Sequence, residues 1–245
     1  MRMSALSRLA VRPPNIADDS HFQSWFAHIA ATLLNGCDFL VTGGAFRIAE
    51  IEIYYRGAGH RDPFAHAHPF QLQAGKWYFH RTGGSYRGGT FKGLDLSLGD
   101  GSATLGALLR TIVDPAGIAI SGPSRIVDHL LRLTGTASVK ELDELIAGRS
   151  AWNVKSPLAI RTSKRPRTAT VFTTARVGLT LKRAAAHPEM PEYLLRNYRF
   201  LTEPRLIRKG RRQLVQALHQ QGLDPEAIHE MTGVPRRAIE RYVSS

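Results

Sequence analysis

The order of apolar and polar residues along the chain predicts a helix followed by a strand near the N-terminus. Apolar side chains recur at helical spacing over residues 19–35, which predicts an amphipathic helix capped by Asp19 or Ser20. Side chains then alternate over residues 48–55, which predicts a strand whose apolar face carries Ala49, Ile51, Ile53 and Tyr55. The other face of this strand carries Ile48, Glu50, Glu52 and Tyr54.

Patterns further along the chain predict more strands and a second helix. A loop rich in glycine, histidine and arginine covers residues 56–74, and a Ser-Gly-Pro-Ser turn at 121–124 begins a helix. Residues 82–102 include seven glycines, which allow tight turns and a close approach of the backbone to a ligand. The predicted strands cover 76–81, 103–113 and 168–174.

After Pro204 the chain becomes helical and strongly basic, and the pattern resembles a helix-turn-helix. Asp224 caps a short helix that begins at Pro225 and buries Ala227, Ile228 and Met231, and Gly233 permits the tight turn. The last helix presents Arg236, Arg237, Glu240 and Arg241 outward, with Ala238, Ile239 and Tyr242 inward. A preceding helix is expected to bind phosphate through Arg205, Arg208, Lys209, Arg211 and Arg212. The alternative is a helical hairpin that docks on the core and uses its arginines for solubility.

These patterns predict an α/β (α+β) protein with one main domain and a small all-α module. The expected division is an irregular N-terminal arm over 1–18, a catalytic domain over 19–203 and a helix-turn-helix module over 204–245. The 245 residues, 43% of them apolar, suffice for one sizeable core with a small appendage.

Charge and cysteine content narrow the function classes. A net charge of +13 attracts polyanions, with nucleic acid as the first partner to consider and an anionic membrane surface as the second. Cys37 is the single cysteine, which excludes a disulfide framework and a cysteine zinc finger. The sequence contains neither a membrane-length apolar run nor a recognisable signal peptide, so we expect a cytoplasmic protein without membrane contact.

Four segments, in this order, resemble the alkyladenine (3-methyladenine) DNA glycosylases. The first joins AEIEIY at residues 49–54 to DPFAH at residues 62–66. The others are GDGSATLGALLRTI, SGPSRIVDHLL and TTARVGL. The resemblance covers about residues 25–203. It implies a compact domain around a curved antiparallel sheet, like the C-terminal domain of methionyl-tRNA formyltransferase.

The resemblance also implies a monofunctional DNA glycosylase without metal or cofactor. By motif match, Glu52 deprotonates a water molecule and His66 helps to hold it, whereas Tyr54 stacks on the extruded base. Arg110 positions the water or the extruded nucleotide. A monofunctional enzyme does not require a Schiff base, so Lys92 is expected near the pocket without forming one.

Chemical reasoning supports this assignment of Glu52 independently. A target atom inside a duplex is out of reach, so the nucleotide must be extruded before the glycosidic bond is cut. Hydrolysis then passes through an oxocarbenium-like state, which a neighbouring carboxylate stabilises while it activates water. The alternative interpretation is that Glu50 and Glu52 are solvent-facing residues of an edge strand.

The stretch from Gly83 to Asp95 departs from the family pattern. This departure changes the base that we expect the protein to excise. Tyr86 is the candidate wedge that fills the vacated stack, and Arg87 beside it is a candidate DNA contact. Asp95 stands where the family usually has asparagine. Because a carboxylate only accepts hydrogen bonds, it favours an amino-bearing base, such as a modified cytosine or adenine, over hypoxanthine. Alternatively, Asp95 is a structural carboxylate paired with Arg87 or Lys92.

Other interpretations remain open at this stage. His60, His66 and His68 suggest a metal site, but no acidic or cysteine cluster completes it, so we expect no metal. A non-catalytic DNA-binding regulator on the same fold is the main alternative to a glycosylase, and a tRNA-binding or formyltransferase-like protein is the third. We expect a monomer that acts on double-stranded DNA with an abnormal base, in DNA repair or in defence against phage genomes with modified bases.

Overall fold

In the described part of the chain, one α-helix and nine strands are followed by a mixed segment of helices and strands up to residue 201, and three α-helices come last. The computed structural model describes residues 6, 9, 11 and 18–244. Helices in this described part are α1 (Asp19–Gly36), α2 (Pro123–Thr134), α3 (Val139–Ile146), α4 (Met190–Leu195), α5 (Arg211–Gln220), α6 (Pro225–Thr232) and α7 (Arg236–Val243). Its strands are β1 (Cys37–Val41), β2 (Gly44–Gly57), β3 (His60–Arg61), β4 (Lys76–Phe79), β5 (Arg81–Thr82), β6 (Ser85–Tyr86), β7 (Leu94–Ser97), β8 (Thr104–Val113), β9 (Ala119–Ser121), β10 (Leu158–Thr162), β11 (Phe172–Thr174) and β12 (Arg199–Leu201).

Ten of these strands form one curled antiparallel sheet, which agrees with the predicted mixed α/β fold around a curved antiparallel sheet. The main path of the sheet runs β10, β1, β2, β8, β7, β4. Strand β12 pairs with β2 and with β11, β3 pairs with β2, and β9 pairs with β8. The short strands β5 and β6 form a separate hairpin. Strand β2 therefore lies in the middle of the sheet and contacts neighbours along most of its length.

Helix α1 packs its apolar face against the sheet. Phe22, Phe26, Ile29 and Leu33 are each at most 2% exposed and belong to the main hydrophobic cluster, together with the apolar face of β2. The helix predicted over 19–35 is confirmed. Its cap is Asp18, whose carboxylate accepts hydrogen bonds from the Ser20 and His21 amides, because the helix begins at Asp19 itself.

An irregular register in β2 changes the predicted alternation of side chains. The pairing of β2 with β8 shifts between Ile48 and Glu50 and again between Glu50 and Ile51. Ile48 consequently lies in the hydrophobic cluster, not on the face of Glu50 and Glu52 as predicted. Both glutamates are buried in a central strand, so the alternative of solvent-facing residues on an edge strand is wrong.

Three other predicted strands agree with the structure to different extents. The segment 103–113 corresponds to β8, and the segment 76–81 corresponds to β4 with the first residue of the hairpin. Only the end of the segment 168–174 forms a strand, β11, because residues 168–171 have no strand partner. Helix α2 follows the Ser-Gly-Pro-Ser turn as predicted.

The three C-terminal helices enclose a second hydrophobic cluster. Ile228 of α6 and Ile239 of α7 are fully buried in it, and Leu201 of β12 connects it to the sheet. Asp224 caps α6 and Gly233 ends it in the left-handed conformation, both as predicted. Met231 and Ala227 are only partly buried. Of the five basic residues predicted for the preceding helix, two, Arg211 and Arg212, lie in α5.

Gly210, with φ at +73°, is the N-terminal cap of α5, so the helix begins at Arg211. The other three basic residues, Arg205, Arg208 and Lys209, therefore precede it. The predicted irregular arm over 1–18 lies mostly outside the described residues, although Leu6 and Leu9 are buried against the main cluster. In the described ranges, no helix combines the length and hydropathy that a membrane span requires.

Because the three C-terminal helices enclose their own hydrophobic cluster, we predict that a cavity in this cluster destabilises these helices but not the main sheet. Replacement of Ile239 by alanine should leave a cavity that costs about 2–5 kcal/mol. We expect amide hydrogen exchange to accelerate in α5, α6 and α7 but not in β2 and β8. The exposed Glu240→Ala change on the same helix is the control. Equal acceleration in β2 would show that the module and the sheet unfold together.

Candidate functional site

A cavity of about 750 Å³ opens beside the middle of the sheet. Aromatic rings form much of its wall, contributed by Tyr54, Phe64, His66, His68, Tyr78, His80 and Phe91. Backbone from the loop after β11 lies across the cavity, at Val177 and Gly178. Flat rings on the walls are suited to a planar, aromatic ligand.

Cations dominate the charges around this cavity. The lining includes Arg81, Arg87, Lys92, Arg110, Lys182 and Arg183, whereas Asp95 is the lining residue with a carboxylate. Lys182 and Arg183 are exposed and precede α4. Arg81, Lys92 and Arg110 are paired with carboxylates, so exposed Lys182 and Arg183 are the lining cations best placed to attract phosphate groups.

Glu52 is fully buried behind the cavity wall. Its Oε2 accepts hydrogen bonds from the Tyr54 hydroxyl at 2.8 Å and from Arg110 Nη1 at 3.0 Å. Its Oε1 accepts from the Val177 amide at 2.7 Å. All three donor residues line the cavity, so Glu52 is separated from it by a single layer of its own partners.

Glu50 and Arg199 extend this network away from the cavity. Glu50 accepts hydrogen bonds from Arg110 Nε at 3.2 Å, from Arg199 Nε at 2.7 Å and from the Thr111 hydroxyl. Arg110 thus bridges both glutamates, because the register shift in β2 places it beside them. Burial lowers the pKa of Arg110, but Glu52 and Glu50 outweigh that effect and raise it above its ordinary value.

Tyr54 lines the cavity next to Glu52, and buried Arg176 packs against the Tyr54 ring. The Arg176 guanidinium lies 4.5 Å from the centre of the Tyr54 ring and pairs with Asp62, and both members of this ion pair are fully buried. Burial, and then the neighbouring Glu52, raise the pKa of the Tyr54 hydroxyl well above its ordinary value. Tyr54 therefore remains a donor to Glu52 at neutral pH.

His66 lies in the cavity wall and not beside Glu52. Its Nδ1 hydrogen-bonds the Tyr78 hydroxyl at 3.2 Å, and its ring centre is 4.3 Å from that of His80. Burial, and then the charge of His80, lower the pKa of His66 to about 4. The structure brings His66 to the predicted cavity, but its hydrogen bond leads to Tyr78 and not to the predicted water-activating group.

Asp95 lies in the cavity wall with partners that the sequence did not suggest. Its Oδ1 accepts from His80 Nε2 at 2.8 Å, and its Oδ2 accepts from Gln71 Nε2 at 2.7 Å. The alternative pairing of Asp95 with Arg87 or Lys92 is wrong. A Cβ at Gly106 would lie 2.5 Å from Gln71 Nε2 and 2.7 Å from Asp95 Oδ2, so only glycine leaves room for this pair.

Lys92 and Arg87 line the cavity but form other contacts. Lys92 Nζ lies 2.8 Å from Asp128 Oδ1 of α2, and Arg87 Nε donates to the Thr82 hydroxyl at 2.8 Å. Both cations are therefore held at the rim of the cavity by neighbouring segments.

Tyr86, the predicted wedge, does not line the cavity. Its hydroxyl donates to Asp143 Oδ2 at 2.6 Å, and Arg81 lies 4.1 Å from the ring centre. These contacts hold the ring against α3. Phe91 is instead the exposed ring at the rim, with 73% of its surface accessible.

Of the histidines considered as a metal site, His66 and His68 line the cavity, whereas His60 lies in the core. His60 is buried and hydrogen-bonds the Tyr55 carbonyl and the Tyr198 hydroxyl, whereas His68 stacks on Tyr78. Over residues 18–244, no group of three His, Cys, Asp or Glu side chains is arranged to hold a metal ion.

The predicted DNA contacts of the C-terminal module lie on its surface. Arg237 and Arg241 of α7 are exposed, and Arg236 pairs with Glu226 of α6. Ile239 points inward as predicted. Arg208, Lys209 and Arg212 are also exposed, whereas Arg211 is half-buried and donates to the Ile207 carbonyl at 2.9 Å.

Sequence reasoning did not identify several residues that shape the site. Asp62 and Arg176 both lie in the segments that resemble the glycosylases. Their opposite charges among apolar neighbours could have indicated a buried ion pair. Gln71 and His80 carried no such signal, since their partner Asp95 is distant in sequence. Arg199 was missed for the same reason.

Comparisons with known proteins identify one relative of unknown activity. The chain is 30% identical over 177 residues to "Uncharacterized protein L759" of Acanthamoeba polyphaga mimivirus, a match that covers 65% of this chain and 81% of the viral protein. The chain therefore belongs to the same family as this viral protein. No established protein-family profile matches the chain. No solved structure matches it either.

Buried His60 predicts a loss of stability in weak acid. Burial lowers its pKa from 6.5 to about 4, with Asp62 opposing and Arg196 assisting the shift. The unfolded chain binds this proton near pH 6.5 and the folded chain only near pH 4, so stability falls as the pH drops through that window. The contribution is about 3 kcal/mol. In urea titrations between pH 7 and 4, His60→Gln should flatten this fall.

The exposed His219 supplies the matched control for this measurement. His219→Gln should leave the fall in stability unchanged. An equally steep fall in His60→Gln would contradict the assignment to His60.

Proposed function

We propose that this protein is a monofunctional DNA N-glycosylase. It extrudes a modified base from duplex DNA into the cavity and hydrolyses the N-glycosidic bond with water activated by Glu52. The observation that carries this proposal is the buried Glu52 carboxylate, which sits behind a ring-lined, cation-rimmed cavity and is held by Tyr54, Arg110 and Val177.

The convergence of distant segments supports the proposal. The four segments that resemble the alkyladenine DNA glycosylases contribute Glu52, Arg110, Pro123 and Val177, which meet at this one place although they are far apart in sequence. The basic rim supports a nucleic-acid substrate, because backbone phosphates supply the opposite charge. A non-catalytic DNA-binding regulator remains the second candidate, and the test below distinguishes it from the glycosylase.

In the proposed reaction, Glu52 acts as general base. An ionised carboxylate offers about four lone-pair sites, and three are occupied by the Tyr54, Arg110 and Val177 donors. In the proposal, base binding displaces part of the layer formed by these donors and gives water access to the remaining site. That site accepts the proton of a water molecule as the water oxygen bonds to the anomeric carbon. The electron pair of the broken carbon–nitrogen bond leaves with the base, which takes a proton from solvent. The negative charge of Glu52 stabilises the positive sugar that develops between these events.

The cavity favours a substrate base with an added substituent. Its volume of about 750 Å³ is in the range that holds drug-sized ligands, which leaves room beyond an unmodified base. Asp95 keeps a second lone pair on each oxygen while it accepts from Gln71 and His80. An amino-bearing base, such as a modified cytosine or adenine, therefore remains the proposed substrate class, with hypoxanthine disfavoured.

Replacement of Glu52 by glutamine tests the reaction directly. Glutamine keeps the shape of the side chain but cannot accept a proton from water. Base release under single-turnover conditions should therefore fall at least about a hundredfold, while affinity for duplex DNA is retained. The measurement uses duplexes that carry alkylated purines, hypoxanthine or bulky modified cytosines and adenines.

The exposed Glu144→Gln change on α3 is the matched control and should retain full activity. Base release by Glu52→Gln at the wild-type rate would remove Glu52 from the reaction. If the wild-type protein releases no base from any of these duplexes but binds them, the regulator interpretation replaces the glycosylase.

We also propose that α7 contacts the DNA backbone through its exposed arginines. Combined replacement of Arg236, Arg237 and Arg241 by alanine should weaken duplex binding. The slope of log affinity against log salt concentration should become shallower by about 1 for each phosphate that the protein no longer neutralises. Fluorescence anisotropy across a salt series measures both quantities.

Three exposed cations on other elements, Lys140, Arg149 and Lys155, provide a control with the same loss of charge. Their combined replacement by alanine should leave the salt slope unchanged. Equal effects of the two triple variants would mean that net charge, and not α7, determines binding.

A further inference from the structure

The segment that leads from the sheet into the first two residues of α5 touches the partners of Glu52. This segment, residues 208–212, is called the basic linker here. Lys209 and Gly210 contribute their backbone carbonyls to the protein interior, where both accept hydrogen bonds from Arg199. The flanking Arg208 and Arg212 side chains, as well as that of Lys209, face solvent. One short segment therefore has a buried backbone contact and an exposed cationic surface.

The first connection from the basic linker reaches Oε1 of Glu52 through Val177. A Cβ placed on Gly210 would lie 2.2 Å from Cγ2 of Val177, so the two residues are in close contact. The amide of the same Val177 donates to Glu52 Oε1 at 2.7 Å. A displacement of the Gly210 backbone therefore presses on the residue that holds this oxygen.

The second connection reaches Oε2 of Glu52 through two arginines. Arg199 is fully buried and donates to the Lys209 carbonyl at 3.0 Å, to the Gly210 carbonyl at 3.1 Å and to Glu50 at 2.7 Å. Glu50 also accepts from Arg110, whose Nη1 donates to Glu52 Oε2 at 3.0 Å. The two connections share no residue between Gly210 and Glu52.

We propose that the basic linker positions Glu52, and that backbone phosphates of duplex DNA bound to its exposed cations shift this position. The inference rests on the proposed function for the role of Glu52, while the contacts themselves are independent of any reaction. The C-terminal module is in this view a part of the catalytic apparatus as well as a DNA anchor.

Two glycines of the C-terminal module provide a matched pair for the test. Gly210 and Gly222 both have positive φ, +73° and +88°, so alanine introduces a similar backbone strain at either site. An alanine Cβ at Gly210 meets Val177 and Arg199, whereas at Gly222 it meets open space. Gly210→Ala should slow single-turnover base release about tenfold without changing duplex affinity. Gly222→Ala should change neither quantity.

The pH profile separates positioning from a general loss of stability. Displacement of the donors that hold the catalytic group should move the acidic limb of the rate profile in Gly210→Ala. Partial unfolding would lower the rate at every pH without moving this limb. Equal behaviour of the two glycine variants would overturn the positioning role.

A second measurement follows DNA binding by NMR and does not depend on catalysis. An unmodified duplex is added while NMR follows the Val177 amide and the Glu52 side-chain carboxyl carbon. Both signals should shift in proportion to the bound fraction, and replacement of Arg208, Lys209 and Arg212 by alanine should reduce the shifts at saturating DNA. Signals that stay fixed at saturation would overturn the coupling to DNA, even if the protein releases bases. Shifts in a protein that releases no base would retain the coupling and reject the glycosylase.

Discussion

Two glutamates and two arginines share hydrogen bonds in the middle of the curled sheet, and the rest of the structure is arranged around them. Glu50, Glu52, Arg110 and Arg199 are all buried, and each guanidinium contacts a carboxylate. Removing one partner from a buried ion pair typically costs about 3–5 kcal/mol, because the remaining charge stays unpaired. The network therefore fixes β2, β8 and β12 relative to one another and holds Glu52 in one orientation.

Local sequence patterns were sufficient to predict several helices, strands and turns. Helical spacing predicted α1, alternation predicted the strand with Glu50 and Glu52, and caps and glycines predicted α6 and the turn after it. The shifted register around Glu50 was not predictable, because it depends on how β8 packs against β2. The same holds for Asp18 as the cap of α1, since neighbouring Asp19 and Ser20 are equally suitable residue types.

Residues of the candidate site that belong to short sequence motifs could be predicted. Contacts between side chains that are distant in sequence could not. Tyr54, Arg110 and Asp95 line the cavity, and Glu52 lies buried behind Tyr54 and Arg110. The partners of Asp95 and the contacts of Tyr86 follow from side chains that are distant in sequence. Arg199 carries no local signal at all, yet it joins Glu50 to the segment that begins α5.

The hairpin formed by β5 and β6 has an anchored stem and an open tip. Arg81 and Tyr86 hold the stem against Asp143, whereas side chains at Gly83 and Gly84 would meet no other atom. The cavity floor differs, because the space at Gly106 is filled by Gln71 and Asp95. Open loop tips tolerate changes of length and composition that packed segments do not. Evolution can therefore vary the rim of the cavity while the buried network around Glu52 stays the same.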